Sequence, residues 1–268
     1  VAAALAEDLG ERGDITSNLF VPEDLVARGA VRARAAGVLA GREVAEEVLR
    51  QTGVRGAWLR EDGMQLEPGD TVLAVEGRAR AVLITERTLL NFLCHLSGIA
   101  TLTARFVDAA KPALVLDTRK TTPGWRALEK AAVKAGGGWN HRIGLHDRVL
   151  VKDNHLALAG ANLADAVARA RRELPHVLVE VEADDLAGVD RALEAGADWV
   201  LLDNMSCDMM RQAVALTGGR ARLEASGNMS LDRVAEVAAT GVDALSVGAL
   251  THSAPALDLG LDLEPPTV

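Results

Sequence analysis

With 268 residues, 49% hydrophobic and 25% charged, the chain has the composition of a globular protein able to bury a sizeable core, which excludes disorder and collagen-like repeats. A net charge of −9 argues against a nucleic-acid surface. The two cysteines, Cys94 and Cys207, are too few and too far apart for a disulfide framework or a thiolate metal site, so a reducing cytoplasm is expected.

The length suggests one large domain with a smaller one. In the first part, Arg28 to Ala40 alternates apolar and polar residues as a half-buried strand does, and Arg42 to Arg50 is helix-like. Leu66 to Asp70 marks a turn, Thr71 to Val75 a strand, Glu76-Gly77 another turn, and Arg80 to Ile84 a second strand. Glu86 to Ala110 reads as one long helix, bent or interrupted near Ser97-Gly98, that bridges the two domains. Its uncharged stretch, Thr88 to Ala104, falls short of the roughly 20 apolar residues of a membrane span, and neither a span nor a secretory signal is expected.

After Lys111-Pro112, short apolar runs alternate with helical segments. The runs are Ala113 to Asp117, Val149 to Lys152, Val177 to Glu182, Trp199 to Asp203, Ala221 to Ala225 and Asp243 to Val247. The last four start 22 residues apart, at Val177, Trp199, Ala221 and Asp243. Continuous apolar strands separated by helices predict a parallel sheet buried on both faces. A barrel or open barrel is preferred to a doubly wound sheet, because no GxGxxG follows any strand.

In such barrels the strand ends form the active-site rim. Here they deliver Asp117-Thr118-Arg119-Lys120, Lys152-Asp153-Asn154-His155, Glu182, Asp203-Asn204, Ser226-Gly227-Asn228 and Ser246-Val247-Gly248. The last two are small and hydrogen-bonding, which suits a phosphate cradle but also a helix cap or tight turn. Gly136-Gly137-Gly138 follows a helix and reads as its stop. Glu182 and Asp203 suit ribose hydroxyls, Mg²⁺ or acid–base work, with a structural ion pair to Lys152 as the plain alternative. Lys152 could also form a Schiff base, as in a barrel aldolase.

Charge is concentrated. From Arg119 to Lys152, eight basic residues (Arg119, Lys120, Arg126, Lys130, Lys134, Arg142, Arg148, Lys152) stand against two acidic ones, a local balance of +6, so the remainder carries −15. Such an island is either a solvated helix face or a pocket for a small polyanion. His141 and His146 lack zinc-ligand spacing, and His141 beside Arg142 suggests an anion-binding pair. His95 reads as a core or interface residue.

The runs Asp117-Thr118-Arg119-Lys120-Thr121-Thr122-Pro123-Gly124, Gly136 to Arg142, Lys152-Asp153-Asn154-His155 and Gly248 to Ser253 resemble the nicotinate-nucleotide pyrophosphorylase (carboxylating), or quinolinate phosphoribosyltransferase, family. Glu7 to Gly10, Gly13 to Thr16, Glu86 to Asn91 and Leu96 to Thr101 extend the likeness over nearly the whole chain. The resemblance implies a type II phosphoribosyltransferase of NAD biosynthesis, using quinolinate, phosphoribosyl pyrophosphate and Mg²⁺. It implies an N-terminal α/β sandwich domain (1–98, joined by 253–268) and a C-terminal open α/β, TIM-like barrel (99–252), assembled as a homodimer or larger.

By the same resemblance, Arg119, Lys120, His141, Arg142 and Lys152 bind substrate anions, and Arg87 is supplied by the partner subunit; the apolar pattern of Leu89, Leu90, Phe92, Leu93 and Leu96 suits either a docking surface for another chain or a face that joins the two domains within one chain. Glu182 and Asp203 contact ribose and Mg²⁺, directly or through water, and with Lys152 carry the catalysis. Ser226, Gly227, Asn228, Ser246, Val247 and Gly248 form the phosphate site. Two departures stand out: Asn228 replaces a glycine common in the family, and a leading helix is expected to be missing before Glu7-Asp8. A non-catalytic anion-binding relative of the same fold stays open beside the aldolase.

Overall fold

The computed structural model describes residues 1–159 and 162–265. The chain begins with helices α1 (Ala2–Leu9) and α2 (Ile15–Phe20), then β1 (Val26–Ala33), β2 (Gly37–Val38), α3 (Arg42–Thr52), β3 (Arg55–Trp58), β4 (Gln65–Leu66), β5 (Thr71–Arg78) and α4 (Ala79–Ala110). It continues through β6 (Leu114–Leu116), α5 (Arg126–Ala135), β7 (Val149–Val151), α6 (Asp153–Ala159), α7 (Leu163–Glu173), β8 (Val179–Ala183) and α8 (Leu186–Glu194). It closes with β9 (Trp199–Asp203), α9 (Cys207–Thr217), β10 (Arg222–Ser226), α10 (Leu231–Ala238), β11 (Ala244–Ser246), α11 (Ala249–His252) and β12 (Leu259–Leu263). Two compact units result: 1–102 with 131–137 and 254–268, and 103–130 with 138–253. Residues 266–268, counted above with the N-terminal domain, lie outside the described residues.

The first unit is built on an antiparallel sheet in the order β12-β1-β5-β3. Alternation along β1 buries Val31 and Ala33 and leaves Arg32 between them half-buried on the opposite face. Two elements differ from the sequence expectation. Glu76-Gly77 is no turn but part of β5, paired to β1 as far as Arg78, and Arg80 to Ile84 is helix, because α4 starts at Ala79. A short run rich in Val, Leu and Ile fits a strand or a buried helix face equally well.

Helix α4 is continuous through Ser97-Gly98. The glycine is there for space: a Cβ at 98 would run into the Pro255 carbonyl. Ser97 Oγ and Thr101 Oγ1 accept the Ala40 and Val38 N–H groups at 3.0 and 2.8 Å, pinning that loop to the helix. Leu89, Leu90, Phe92, Leu93 and Leu96 are at most 4% exposed. They are therefore core, and the expectation that they form a docking surface is corrected. By length and composition α4 could cross a membrane, but more than half of its most apolar window is buried inside the fold.

In the second unit, six parallel strands run in the order β6-β11-β10-β9-β8-β7. β6 and β7 follow one another in sequence yet occupy opposite edges, and Trp139 bridges the outer side of β6 at Leu116. The arrangement is an open α/β barrel. Val179, Val181, Val200, Leu202, Leu223, Ala225 and Leu245 are almost fully buried in it. Asp185 and Ser206 cap α8 and α9, accepting the Gly188 and Met209 N–H groups at 2.6 and 3.2 Å. The capping role is thus filled beyond the strand ends, and Glu182 and Asp203 are left for other work.

Candidate active site

Helix α5 shapes the two loops that hold Arg119, Lys120, Arg142 and Arg148. Lys130, 1% exposed, ion-pairs with the fully buried Asp117 and also donates to the His141 carbonyl at 3.1 Å. Asp117 Oδ1 in turn accepts the His141 N–H at 2.8 Å, and burial pushes its carboxyl above the usual range although Lys130 opposes this. Glu129 accepts the Thr122 N–H at 3.1 Å, and Arg126 reaches Thr121 Oγ1 and the Ile143 carbonyl at 3.0 and 3.1 Å. Lys130 and Arg126 therefore serve the loops' own structure.

Part of the rest of the island is unanswered charge. Among the described residues, Arg119, Lys120 and Arg142 have no ion-pair partner, and Arg119 Nε is buried without an acceptor. Burial first, and the nearby Arg119 guanidinium second, push Arg142 below its ordinary value. Two guanidiniums that destabilise each other form a site that an anion would stabilise.

Lys152, at the end of β7, ion-pairs with Glu182 at the end of β8. The nitrogen that a Schiff base would need is engaged by that carboxylate. The Asp153 side chain lies outside the described residues, whereas Lys152 N donates to His155 Nδ1 at 3.0 Å. On β9, Asp203 Oδ2 accepts the Asn204 amide at 2.9 Å, and Asp203 pairs in register with Ser226 of β10.

The loop after β10 takes a left-handed backbone conformation. Gly227 has φ 98° and Asn228 φ 43°. Asparagine tolerates the left-handed region, so Asn228 keeps the backbone form that glycine would allow. A Cβ at Gly227 would run into the Asn204 side chain, and one at Gly248 would meet Lys120 Cδ at 3.1 Å. Thr251 Oγ1 donates to the Lys120 carbonyl at 2.7 Å, which brings the Ser246–Gly248 loop beside Lys120. His252 is bonded to its neighbour Ser253 at 2.6 Å.

His141 is buried and faces inward. Its Nε2 lies 3.0 Å from Glu180 Oε2 and 3.3 Å from Glu224 Oε2, and Arg148 Nη1 lies 3.2 Å from Glu180 Oε2. The three groups could hold a metal ion by proximity, but Arg148 already supplies a cation there, also at 3.4 Å from His141 Nε2. Burial would deprotonate the imidazole; Glu180 and Glu224 outweigh it and hold the proton up to about 9. Burial with Glu180 alongside pushes the Glu224 carboxyl upward. The sequence reading missed Glu180 and Glu224. The available signal was an acid flanked on both sides by apolar residues within each of two strands, Val179-Glu180-Val181 and Leu223-Glu224-Ala225.

Arg87 lies on α4 in the first unit and is exposed.

Comparison with known proteins agrees along the chain. The quinolinate phosphoribosyl transferase N-terminal domain matches residues 14–97 and its C-terminal domain residues 99–262. The nicotinate-nucleotide pyrophosphorylase [carboxylating] of Mycobacterium leprae (strain TN) is 46% identical over 272 residues, covering 98% of this chain and 95% of that protein. NadC from Streptococcus pyogenes superposes with a TM-score of 0.91 at 41% identity, over 98% of this chain and 95% of that one. The nicotinate-nucleotide pyrophosphorylase of Francisella tularensis gives 0.92 at 38%, over 98% and 94%. Human nicotinic acid phosphoribosyltransferase, at 14% identity and a TM-score of 0.61 over 91% of this chain and 72% of that one, shares the fold. The chain belongs to the quinolinate phosphoribosyl transferase family.

Proposed function

We propose that the unpartnered cations Arg119, Lys120 and Arg142 receive the anionic groups of quinolinate and phosphoribosyl pyrophosphate, in the reaction this family performs: phosphoribosyl transfer to quinolinate with decarboxylation, in NAD biosynthesis. Their lack of counter-ions among the described residues is the observation that carries this reading. Arginine forks match carboxylates and lysine acts as a point charge on phosphate. Lys120 beside Gly248, with Ser226–Asn228 and Ser246–Gly248, makes the phosphate end, and Arg119 with Arg142 the dicarboxylate end. His141 serves the dicarboxylate end through its backbone and its neighbour Arg142.

As pyrophosphate leaves C1, the ribose acquires oxocarbenium character, which Glu182 and Asp203 stabilise, while Lys152 answers the Glu182 carboxylate until substrate arrives. In the pyridinium nucleotide, the electrons left by departing CO₂ are drawn toward the ring nitrogen, and a proton replaces the carboxylate. No protein nucleophile takes part. Glu182 and Asp203 offer the oxygen donors that Mg²⁺ favours, and one Asp203 oxygen has no hydrogen-bond partner among the described residues. Bound there, Mg²⁺ would supply charge neutralisation for the leaving pyrophosphate.

Arg87, exposed on α4, is read as the arginine supplied to a partner's site in a homodimer. Mixing Arg87→Ala and Lys152→Ala under subunit exchange should then restore one intact site per mixed dimer; verified mixed dimers without activity would remove Arg87 from the partner's site. The free thiols Cys94 and Cys207 fit a cytoplasmic location. The deciding assay offers quinolinate and nicotinate separately with phosphoribosyl pyrophosphate and Mg²⁺. Quinolinate should turn over and nicotinate, one carboxylate short, should not; equal turnover would overturn the dicarboxylate site.

A further inference from the structure

Glu180 and Glu182 lie two residues apart on β8 and so share a face of the strand, with Glu180 about 6.6 Å further from the C-terminal end. Glu224 stands on β10, opposite Leu201 of β9. Both Glu180 and Glu224 are fully buried. They differ in how their charge is answered. Glu180 Oε2 takes Arg148 at 3.2 Å, and that guanidinium also stacks over Trp199 at 5.4 Å. Neither Glu224 oxygen has a well-formed hydrogen bond. Its attractive neighbours are the His141 ring at 3.3 Å and the Ser246 hydroxyl.

A buried carboxylate so poorly satisfied adds little stability, and a well-packed apolar side chain in its place is often as stable or more so. Its use lies in what it holds. The His141 ring is gripped on both nitrogens: Nε2 faces the two carboxylates, while Nδ1 accepts the Arg142 backbone N–H at 2.7 Å. In the neutral ring a nitrogen that accepts an N–H carries no proton, which leaves the ring proton on Nε2 between Glu180 and Glu224, and Nε2–H faces the same two carboxylates when the ring is charged. The chain of contacts runs from the barrel interior through the imidazole to the backbone of Arg142, whose guanidinium awaits an anion.

We propose that Glu224 is a positioning residue for the dicarboxylate substrate: by fixing the His141 ring it sets the backbone of Arg142, and with it the affinity for quinolinate. The inference rests on the reading of Arg142 as a carboxylate ligand.

The test uses the full chain with Glu224→Leu and Glu224→Gln, measuring KM for quinolinate and for phosphoribosyl pyrophosphate separately, with thermal unfolding alongside. Glu224→Leu should fold, raise KM for quinolinate about tenfold, roughly 1.4 kcal/mol, and raise KM for phosphoribosyl pyrophosphate, whose phosphate end includes the Ser246 hydroxyl beside Glu224, by clearly less. Glu224→Gln, whose amide oxygen can still accept from Nε2–H, should recover most of the loss. An unchanged KM for quinolinate, or equal rises in both, would overturn the proposal. Should Glu224→Leu fail to fold, Glu224→Gln and the ¹⁵N imidazole resonances of the parent, recorded above about pH 9 where the ring is neutral, decide: a neutral His141 with its proton on Nδ1 breaks the chain of contacts. Failure of the underlying reading shows differently, as a parent enzyme that uses nicotinate as well as quinolinate while its His141 Nδ1 remains an acceptor.

Discussion

On the antiparallel sheet, Arg28 and Arg55 reach Glu76 at 3.5 and 3.0 Å, with every side chain at least about a third exposed. On the parallel sheet, Glu180 and Glu224 meet His141 at 3.0 and 3.3 Å with neither carboxylate exposed. The same charge types at the same separations have different consequences, because water competes in one place and is absent from the other. An antiparallel sheet with one solvated face lets its charges point outward; a parallel sheet covered on both faces turns any charge in its strands inward. Inward charges must be paired, must shift in proton affinity, or must be kept for a ligand.

The largest effect should come from the deepest pair. Lys130→Met leaves Asp117 buried without its ammonium and removes the donor to the His141 carbonyl, so about 3–5 kcal/mol of unfolding free energy should be lost in urea titration. A loss under about 1 kcal/mol would mean that water reaches the pair. Next, the rim separates stability from function. Lys152 is nearly half exposed, so Lys152→Ala should change stability by no more than about 1 kcal/mol, yet lower turnover by about 10²–10³-fold. Borohydride with substrate should leave the parent unlabelled; a trapped adduct would restore the aldolase reading.

The strand pattern explains how much was legible beforehand. The 22-residue recurrence from Val177 to Asp243 displayed the parallel strands, because each βα unit repeats one covering helix. Glu182, Asp203 and the Ser226 and Ser246 loops were visible because a polar group that ends an apolar run marks where the strand leaves the core for the rim. Glu180 and Glu224 were not, since one acid within a strand reads as an outward residue until both faces are known to be covered. Arg80 to Ile84 was misplaced because β5 passes directly into α4 with no breaker between Arg78 and Ala79. The leucines after Arg87 looked free for a partner because a sequence shows which helix face is apolar without showing what already covers it.

A third effect is read from pH. The imidazole of His141 is held up to about 9 against an ordinary 6.5, since Glu180 and Glu224 outweigh the burial that opposes them. A group whose folded value is raised stabilises fully below its unfolded value and loses that contribution as pH rises through the folded one. Stability should therefore decline between about pH 6.5 and 9, by up to about 1.4 kcal/mol per pH unit for one retained proton, with a flatter profile in His141→Gln. Identical profiles would show that the buried group holds no extra proton.

The smallest effect closes the contrast. Glu76 of β5 faces Arg28 of β1 and Arg55 of β3 as direct cross-strand partners, so the sheet itself brings the three charges together without ordering long side chains from elsewhere. Such pairs contribute about 0.2–1 kcal/mol each, and salt screens them over about 10 Å at 0.1 M. Arg28→Ala and Arg55→Ala should each shift the urea midpoint only slightly, and 1 M salt should erase most of the shift. The buried Lys130→Met loss should persist in the same salt, because mobile ions do not enter where water does not. A surface loss above about 2 kcal/mol that resists salt would mean that Glu76 is shielded from solvent, and the two sheets would then differ in topology but not in how they treat charge.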